Sequence, residues 1–280
     1  KKGWSGMLFV LTSWRRLLEQ NFHYNMSQEF EGTLYDGPFP HLIVENFYNE
    51  EELSLIWEEL NFYTKPGKLL PALNYGGVVD KTNASALFLD AVYRNGDKDK
   101  PDYSKLSNIL TVTRKIFKSD IIDVMSQSDI SCRTFTRNNS DATKVRYYHN
   151  GEYYKPHTDA SCLFLVFTYF YREPKKFTGG ELYFPPYDYE FSCPNNSLII
   201  IPGYVEHGVR KVKIQDSDYF EGYGRYCISS FASIKSDPER KNYIWYDRDS
   251  FWNLSTLFVT KKSFYKSQIW FLQVWGKNPC

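Results

Sequence analysis

The residues best suited to chemistry stand at the end of Val145-Arg-Tyr-Tyr-His-Asn-Gly-Glu-Tyr-Tyr-Lys-Pro-His-Thr-Asp159. This stretch closes on His157-x-Asp159. On an extended strand, side chains two residues apart point to the same face. An imidazole nitrogen and a carboxylate oxygen can then hold one metal ion from one side. His207, in Glu206-His-Gly-Val209, is the candidate third ligand. Two histidines and one carboxylate on one face of an octahedral ion leave three positions open to reactants. The chain has five histidines, His23, His41, His149, His157 and His207, so two in these settings are hard to ascribe to chance. His149 follows Tyr148 directly, and strand alternation turns it to the opposite face, away from a ligating role.

Such a site needs a scaffold of strands, and the sequence offers one. Candidate strands are 130–137, 143–149, 162–172, 180–184, 197–201, 206–213 and 224–234, separated by Asn, Gly and Pro turn pairs. Gly179-Gly180 reads as one such tight turn, with Glu181 solvated or capping it. Ahead of these strands lie a strand over 39–47 and two helices. Asn49 and Glu52 form a capping box for the first helix, and Leu53, Ile56, Trp57 and Leu60 give it one apolar face. The second runs from Ser104 to about 125 on the spacing of Leu106, Ile109, Leu110, Ile116 and Phe117. Residues 63–103 between them read as a loop or flap, with a short strand or helix at Ala86–Ala91. Helices followed by closely spaced strands predict an α+β fold, a double-sheet jelly roll supported by N-terminal helices.

Four further motifs surround the triad in order. Tyr148 stands nine residues before His157, with Gly151 between them; Gly179-Gly180-Glu181-Leu182 follows; Ser197-Leu-Ile-Ile-Ile-Pro202 leads into His207; Gly224-Arg-Tyr-Cys-Ile-Ser229 closes the series. As an ordered set over roughly residues 40–235 these resemble the Fe(II)/2-oxoglutarate-dependent dioxygenases, and among them the prolyl 4-hydroxylase-like branch. The resemblance implies a double-stranded β-helix core over about 130–235 within a dioxygenase domain of 36–235. It implies Fe(II) held by His157, Asp159 and His207, with 2-oxoglutarate chelating the iron and O₂ as co-substrate. It assigns the far carboxylate of 2-oxoglutarate to Arg225, whose guanidinium gives a bidentate fork. The family places this cation about ten residues after the second histidine; here the offset is larger, and Gln215–Gly222 reads as an inserted hairpin tip. Arg210, Lys211 and Lys213 are nearer in sequence and compete for the role. Tyr148 and Tyr169 become phenol donors to 2-oxoglutarate, with core packing as the plainer role for Tyr169. Ser229, on the face of Arg225, lines the pocket. Ascorbate would keep iron reduced, as in similar enzymes. The implied activity is hydroxylation of a C–H bond, with a protein or peptide side chain such as proline as first choice. A free amino acid or small metabolite is the alternative, and a non-catalytic metal-binding jelly-roll module is the reading from another class.

Composition narrows the partners. Basic and acidic residues number 34 and 33, so no global field argues for nucleic acid or an anionic membrane. No apolar run reaches the roughly 20 residues of a membrane span. Aromatics are 18% of the chain, which favours a β-rich fold. The five cysteines, Cys132, Cys162, Cys193, Cys227 and Cys280, match neither a zinc nor a disulfide pattern. They read as free thiols of a reducing, cytoplasmic compartment. Residues 1–35 form an N-terminal extension without domain pattern, apart from a short helix marked by Trp14, Leu17 and Leu18. Lys1-Lys2 and Met7–Leu11 imitate a signal peptide with too short an apolar run, and Met26 is a candidate natural start. Residues 236–280 are rich in Trp and read as an aromatic extension packed on the core, with a substrate-facing or dimer-forming role as the sharper alternative. Oligomeric state stays open.

Overall fold

A computed structural model describes residues 22–26, 30–65, 67–71, 82, 84–93, 103–118 and 120–235. The expected helix near Trp14, most of the 63–103 flap and the 236–280 extension lie outside the described residues. The chain divides into two compact units, Lys1–Ile234 and Lys235–Cys280. The first carries every element below.

The helix Glu50–Tyr63 starts where the capping box predicts. Asn49 Oδ1 accepts from the Glu52 amide, and Glu52 Oε2 accepts from the Asn49 amide, both at 2.9 Å. Acidic Glu50, Glu51 and Glu52 suit the positive end of the helix dipole. Its buried face carries Ile56, Leu60 and Tyr63, and Trp57 meets the edges of Phe170 and Tyr226. The predicted second helix is instead broken into a 3₁₀ turn, Ser104–Leu106, and three short helices, Asn108–Val112, Lys115–Lys118 and Ile121–Ser128. Side-chain bonds to the backbone set the first of these pieces. Ser107 Oγ caps the Leu110 amide, and the Thr113 hydroxyl donates back to Ile109 O, just where that piece stops.

Glu59 joins the first helix to this broken segment. Its buried carboxylate accepts from Ser107 Oγ at 2.9 and 3.0 Å, from the Ile109 amide at 2.8 Å and from Tyr63 OH at 2.6 Å. Glu59→Ala takes the acceptor from the Ser107 hydroxyl and the Ile109 amide inside the core and leaves Tyr63 OH only its longer contact with Tyr93 OH at 3.3 Å. The expected loss is about 3 kcal/mol, roughly 5–10 °C in a thermal melt of a domain this size. A melting point unchanged within about 1 °C contradicts the role assigned to Glu59.

The described residues form fifteen strands, in chain order. The first five are β1 (Phe22–Met26), β2 (Phe30–Tyr35), β3 (His41–Val44), β4 (Leu70–Pro71) and β5 (Ser85–Phe88). Then come β6 (Ser140–Tyr148), β7 (Tyr154–His157), β8 (Phe164–Phe170), β9 (Phe177–Thr178) and β10 (Leu182–Phe184). The last are β11 (Tyr189–Phe191), β12 (Ser197–Pro202), β13 (His207–Val209), β14 (Lys213–Ile214) and β15 (Arg225–Ser233). All pairings are antiparallel. The large sheet runs β1-β2-β3-β12-β8-β15-β6-β5-β4, and a smaller one β11-β10-β13-β7. One buried cluster uses inward residues of both sheets, among them Tyr148, Phe167, Tyr169 and Ile201 from the large sheet and Tyr154, Leu182 and Phe184 from the small one. A second cluster lies on the helix-covered face of the large sheet, with Val145, Tyr147, Val166, Ile228 and Ile56. The fold is thus mixed α and β around a largely antiparallel sheet. Among the described residues no helix is long and apolar enough to cross a membrane, and Cys132, Cys162, Cys193 and Cys227 are free thiols.

Several local expectations are corrected. Residues 130–137 are not a strand but two 3₁₀ turns, Ile130–Cys132 and Phe135–Arg137. Asp129 Oδ1 ties the Ser131 amide, and the buried pair Cys132 and Phe135 follows the three-residue period of that helix. The strand expected at 206–213 is two strands in different sheets, since β13 pairs β7 and β10 while β14 pairs β9. The segment read as a hairpin tip holds a one-turn helix, Asp216–Phe220. It seats on the outer face of the large sheet, where Tyr147 stacks between Tyr219 and Tyr226 and donates to Tyr219 O. Ala86–Ala91 is both options in turn, with β5 ending where the helix Leu89–Tyr93 begins. Residues 22–26 and 30–35, read as part of an extension, supply β1 and β2 of the large sheet.

Candidate metal centre

The inner face of the large sheet is ordered in cross-strand rows. Paired residues of adjacent strands carry side chains to the same face. Arg225 pairs with Tyr148. One row on, Arg146, Cys227, Tyr169 and Ser197 lie side by side. The next row is Lys144, Ser229, Phe167 and Ile199. Across from it stands the small sheet, and the Phe167 ring lies 5.3 Å from that of His207.

His157 and His207 face each other because β7 and β13 pair them directly. Their rings are 4.5 Å apart. Asp159 is not on the strand, contrary to the expectation from alternation, because β7 stops at His157. Backbone bonds bring it in instead. The Asp159 amide donates to Gly203 O at 3.0 Å, and Asp159 O accepts from the Cys162 amide at 2.8 Å. Gly203 permits this approach, since a Cβ there would lie 2.2 Å from Cys162 O and 2.7 Å from Asp159 O.

Asp159 Oδ2 lies 3.8 Å from His157 Nε2 and 3.7 Å from His207 Nε2. Both distances exceed a hydrogen bond. One donor atom from each residue lies within 4.8 Å of the others, and among the described residues this is the one such group of His, Cys, Asp and Glu. The ring nitrogens not facing Asp159 are engaged. His157 Nδ1 meets Lys155 O at 3.0 Å and His207 Nδ1 meets Val205 O at 2.9 Å. A carbonyl accepts only, so Nδ1 carries the proton and Nε2 presents its lone pair to the centre. Burial lowers the pKa of both rings, that of His157 to about 4, so both are neutral near pH 7. Two neutral imidazole nitrogens and a carboxylate oxygen form a donor set suited to a borderline divalent metal with sites left open. His149 lies elsewhere, bonded to Asp216 at 3.1 Å.

The adjoining rows bring a buried guanidinium and two buried phenols together. Arg225 is 2% exposed. Its guanidinium carbon lies 4.7 Å from the Tyr148 ring centroid and 4.9 Å from that of Tyr169. Its one polar contact among the described residues is Nη2 donating to Cys193 Sγ at 3.6 Å. Nε and Nη1 of Arg225, Tyr148 OH and Tyr169 OH are buried without hydrogen-bond partners, and among the described residues no carboxylate pairs with Arg225. Burial raises the pKa of both phenols, so each keeps a proton to donate. The competing cations are elsewhere: Arg210 pairs with Glu190 at the surface, and Lys211 and Lys213 are exposed. Ser229 is fully buried, its Oγ 3.5 Å from Cys227 Sγ.

Sequence reasoning passed over three residues here. Tyr154 stacks on His157 with centroids 4.2 Å apart, and the Arg146 guanidinium carbon lies over the Tyr154 ring, 4.9 Å from its centroid. Alternation along 143–149 puts Arg146 on the face of Tyr148, a signal that was available. Gly180 abuts Arg225: at φ +80°, a Cβ there would lie 2.5 Å from Arg225 Cδ.

No protein-family model matches the chain, and no curated protein does. Among solved structures it is similar to a Pseudomonas putida prolyl-4-hydroxylase, at 12% identity and a TM-score of 0.43, over 70% of this chain and 93% of that one. A viral collagen prolyl hydroxylase from Paramecium Bursaria Chlorella virus-1 matches at 14% identity and 0.40, over 71% and 98%. A 2OG-Fe(II) oxygenase family protein from Burkholderia pseudomallei matches at 15% and 0.42, over 83% and 93%.

Proposed function

We propose that this chain is an Fe(II)- and 2-oxoglutarate-dependent dioxygenase that hydroxylates a C–H bond. The observation that carries this reading is a fully buried guanidinium that has no carboxylate partner among the described residues, beside two phenol hydroxyls with no hydrogen-bond partner there and the group of two histidines and a carboxylate. A buried charge without counter-charge is costly unless a ligand supplies one. Arg225 and Ser229 are four residues apart on β15, about 13 Å at roughly 3.3 Å per residue. An arginine side chain and a five-carbon diacid together suit that span.

In this reading His157, Asp159 and His207 hold Fe(II) by Nε2 and carboxylate oxygen. Arg225 takes the far carboxylate of 2-oxoglutarate, Tyr148 and Tyr169 donate to its oxygens, and Ser229 lines the channel between. Bound Fe(II) with 2-oxoglutarate and O₂ supplies oxidative decarboxylation to succinate and CO₂, with the second oxygen atom going to the substrate C–H. The protein's part is to orient the diacid, keep the histidines neutral and exclude water. Ascorbate is the proposed reductant that keeps the iron ferrous. The two sheets form a double-stranded β-helix in this reading. Its support is that β6, β15, β8 and β12 lie side by side in one sheet and β7, β13, β10 and β11 in the other. We place the dioxygenase domain at 36–235, now joined by β1 and β2. The ordered motifs favour a protein or peptide side chain such as proline as the substrate.

The test is an anaerobic titration. Fe(II) followed by 2-oxoglutarate should develop a weak visible charge-transfer band, and admission of O₂ should release succinate. A folded protein that binds Fe(II) yet shows neither is a metal-binding module rather than an enzyme. The pocket wall gives a second test. Gly180→Ala drives a methyl into Arg225 Cδ and holds a non-glycine residue at φ +80°. The expected result is an apparent KM for 2-oxoglutarate about tenfold higher, with about 1–2 kcal/mol lost in stability. An unchanged KM removes Arg225 from 2-oxoglutarate binding.

A further inference from the structure

Lys144 and Arg146 are buried on the inner face of β6, in the two rows next to that of Arg225 and Tyr148. Lys144 is 8% exposed and Arg146 6%. Arg146 Nε has no hydrogen-bond partner. Among the described residues the Lys144 ammonium makes no hydrogen bond or ion pair. It rests over the rings of Phe88 and Phe231, at 5.0 and 5.3 Å. Aromatic faces hold a cation in place without neutralising it. Burial pulls the Lys144 ammonium down to about 8, with Arg146 adding repulsion, and the Asp159 carboxylate acts on both groups only through space.

The proposed function turns this arrangement into a demand for an anion. A metal ion at the triad engages the Asp159 carboxylate and adds positive charge of its own. Arg225, at the other end of the same face, already serves the far carboxylate of 2-oxoglutarate. Lys144 stands one row beyond Arg146, level with Phe167, which touches His207. We propose that Lys144 and Arg146 form a second anion subsite beside the triad, which selects a primary substrate bearing a carboxylate. This rests on the dioxygenase reading and names its substrate class: an acid, presented either by an acidic peptide side chain or by a small free acid. The target C–H is then held at a set distance from the metal by the paired carboxylate, as a bidentate or two-point contact requires.

The experiment uses the full chain with Fe(II), 2-oxoglutarate and O₂, and matched pools. One pair holds short peptides with a single Asp or Glu against the same peptides with Asn or Gln. The other holds free amino and hydroxy acids against their primary amides. The readout is 2-oxoglutarate consumption above the substrate-free rate, and, separately, anaerobic binding of the preferred pool's members to the protein loaded with Mn(II) and 2-oxoglutarate. One acid pool should exceed its amide partner at least tenfold, and which pool does so identifies the source of the carboxylate. Lys144→Met and Arg146→Gln should each reduce that discrimination below threefold in turnover and in binding, with the 2-oxoglutarate dissociation constant within twofold of wild type. Equal responses to acid and amide, including no response to either, overturn the proposal, as does a tenfold loss of 2-oxoglutarate affinity in the variants, which assigns the cations to the keto acid. The wild-type comparison decides the matter even if a variant does not fold. Failure of the wild type to bind 2-oxoglutarate at all is a different result, and takes the dioxygenase reading down with the subsite.

Discussion

Asp159→Ala is expected to cut succinate formation by about 10³-fold or more, equivalent to about 4 kcal/mol at 1.36 kcal/mol per tenfold. The variant keeps two neutral imidazoles but loses the single anionic donor of the group. Its oxygen lies 3.7 and 3.8 Å from the two Nε2 atoms, too far to be a hydrogen-bonded partner of either. The carboxylate makes no hydrogen bond among the described residues and acts on Lys144 and Arg146 only through space, so its removal should move the melting point of the metal-free protein by no more than about 2 °C. Loss of activity with an unmoved melt is the signature of a ligand. Fe(II) or Mn(II) binding, read by equilibrium dialysis, should weaken in step with turnover. Asp159→Glu is a sharper control, because the turn after β7 is tied by its backbone bonds to Gly203 and Cys162, so one extra methylene displaces the oxygen rather than the chain. If Asp159→Ala retains more than a tenth of wild-type succinate production, the three residues do not act as one centre.

What the sequence disclosed about this site follows the range of the interactions involved. The capping box at Asn49 and Glu52 is a four-residue affair, so its pattern is complete in the sequence. The inward rows of β6, β8 and β15 also follow from alternation, because a strand buried on one face repeats every second residue. Asp159 is a different case. Alternation predicts the right neighbourhood for a wrong reason, since the strand ends at His157 and the carboxylate is delivered by Gly203, some forty residues on. Cys132 and Phe135 show the opposite confusion, where a three-residue period of buried side chains in 3₁₀ turns passed for part of a strand. β1 and β2 were not legible because no local signal states the pairing that attaches them to the sheet, β2 on β3 and β1 on β2. Arg225 was named by resemblance alone. Its burial and its want of a counter-ion are properties of the register with Tyr148 and the approach of Gly180, neither of which a linear string displays. For Lys144 and Arg146 alternation gives the face shared with Tyr148, but their burial comes from rings on other strands, Phe88 and Phe231 on Lys144 and Tyr154 on Arg146.

Arg225→Met should separate stability from function in opposite directions. In the ligand-free protein the guanidinium is fully buried between Tyr148 and Tyr169 and hydrogen-bonds a thiol sulfur. Desolvating a cation without an anion costs several kcal/mol, of which two ring faces and one sulfur return a part. Methionine approximates the volume of the stem, is uncharged, and packs well against aromatic rings. The expected result is a ligand-free variant as stable as wild type or more so, by up to about 2 kcal/mol, seen as a higher midpoint in urea with the slope unchanged. Binding should move the other way. Removing one partner of a buried charge pair costs about 2–5 kcal/mol, so 2-oxoglutarate affinity should fall by roughly 30- to 4,000-fold. Saturating 2-oxoglutarate should therefore stabilise the wild type, loaded with Mn(II) under anaerobic conditions, and leave the variant's melt in place. A native pocket that keeps a costly cation is then explained by what it captures. Should Arg225→Met unfold the protein while 2-oxoglutarate fails to stabilise the wild type, the guanidinium belongs to the architecture of β15, and the diacid has no place on this face.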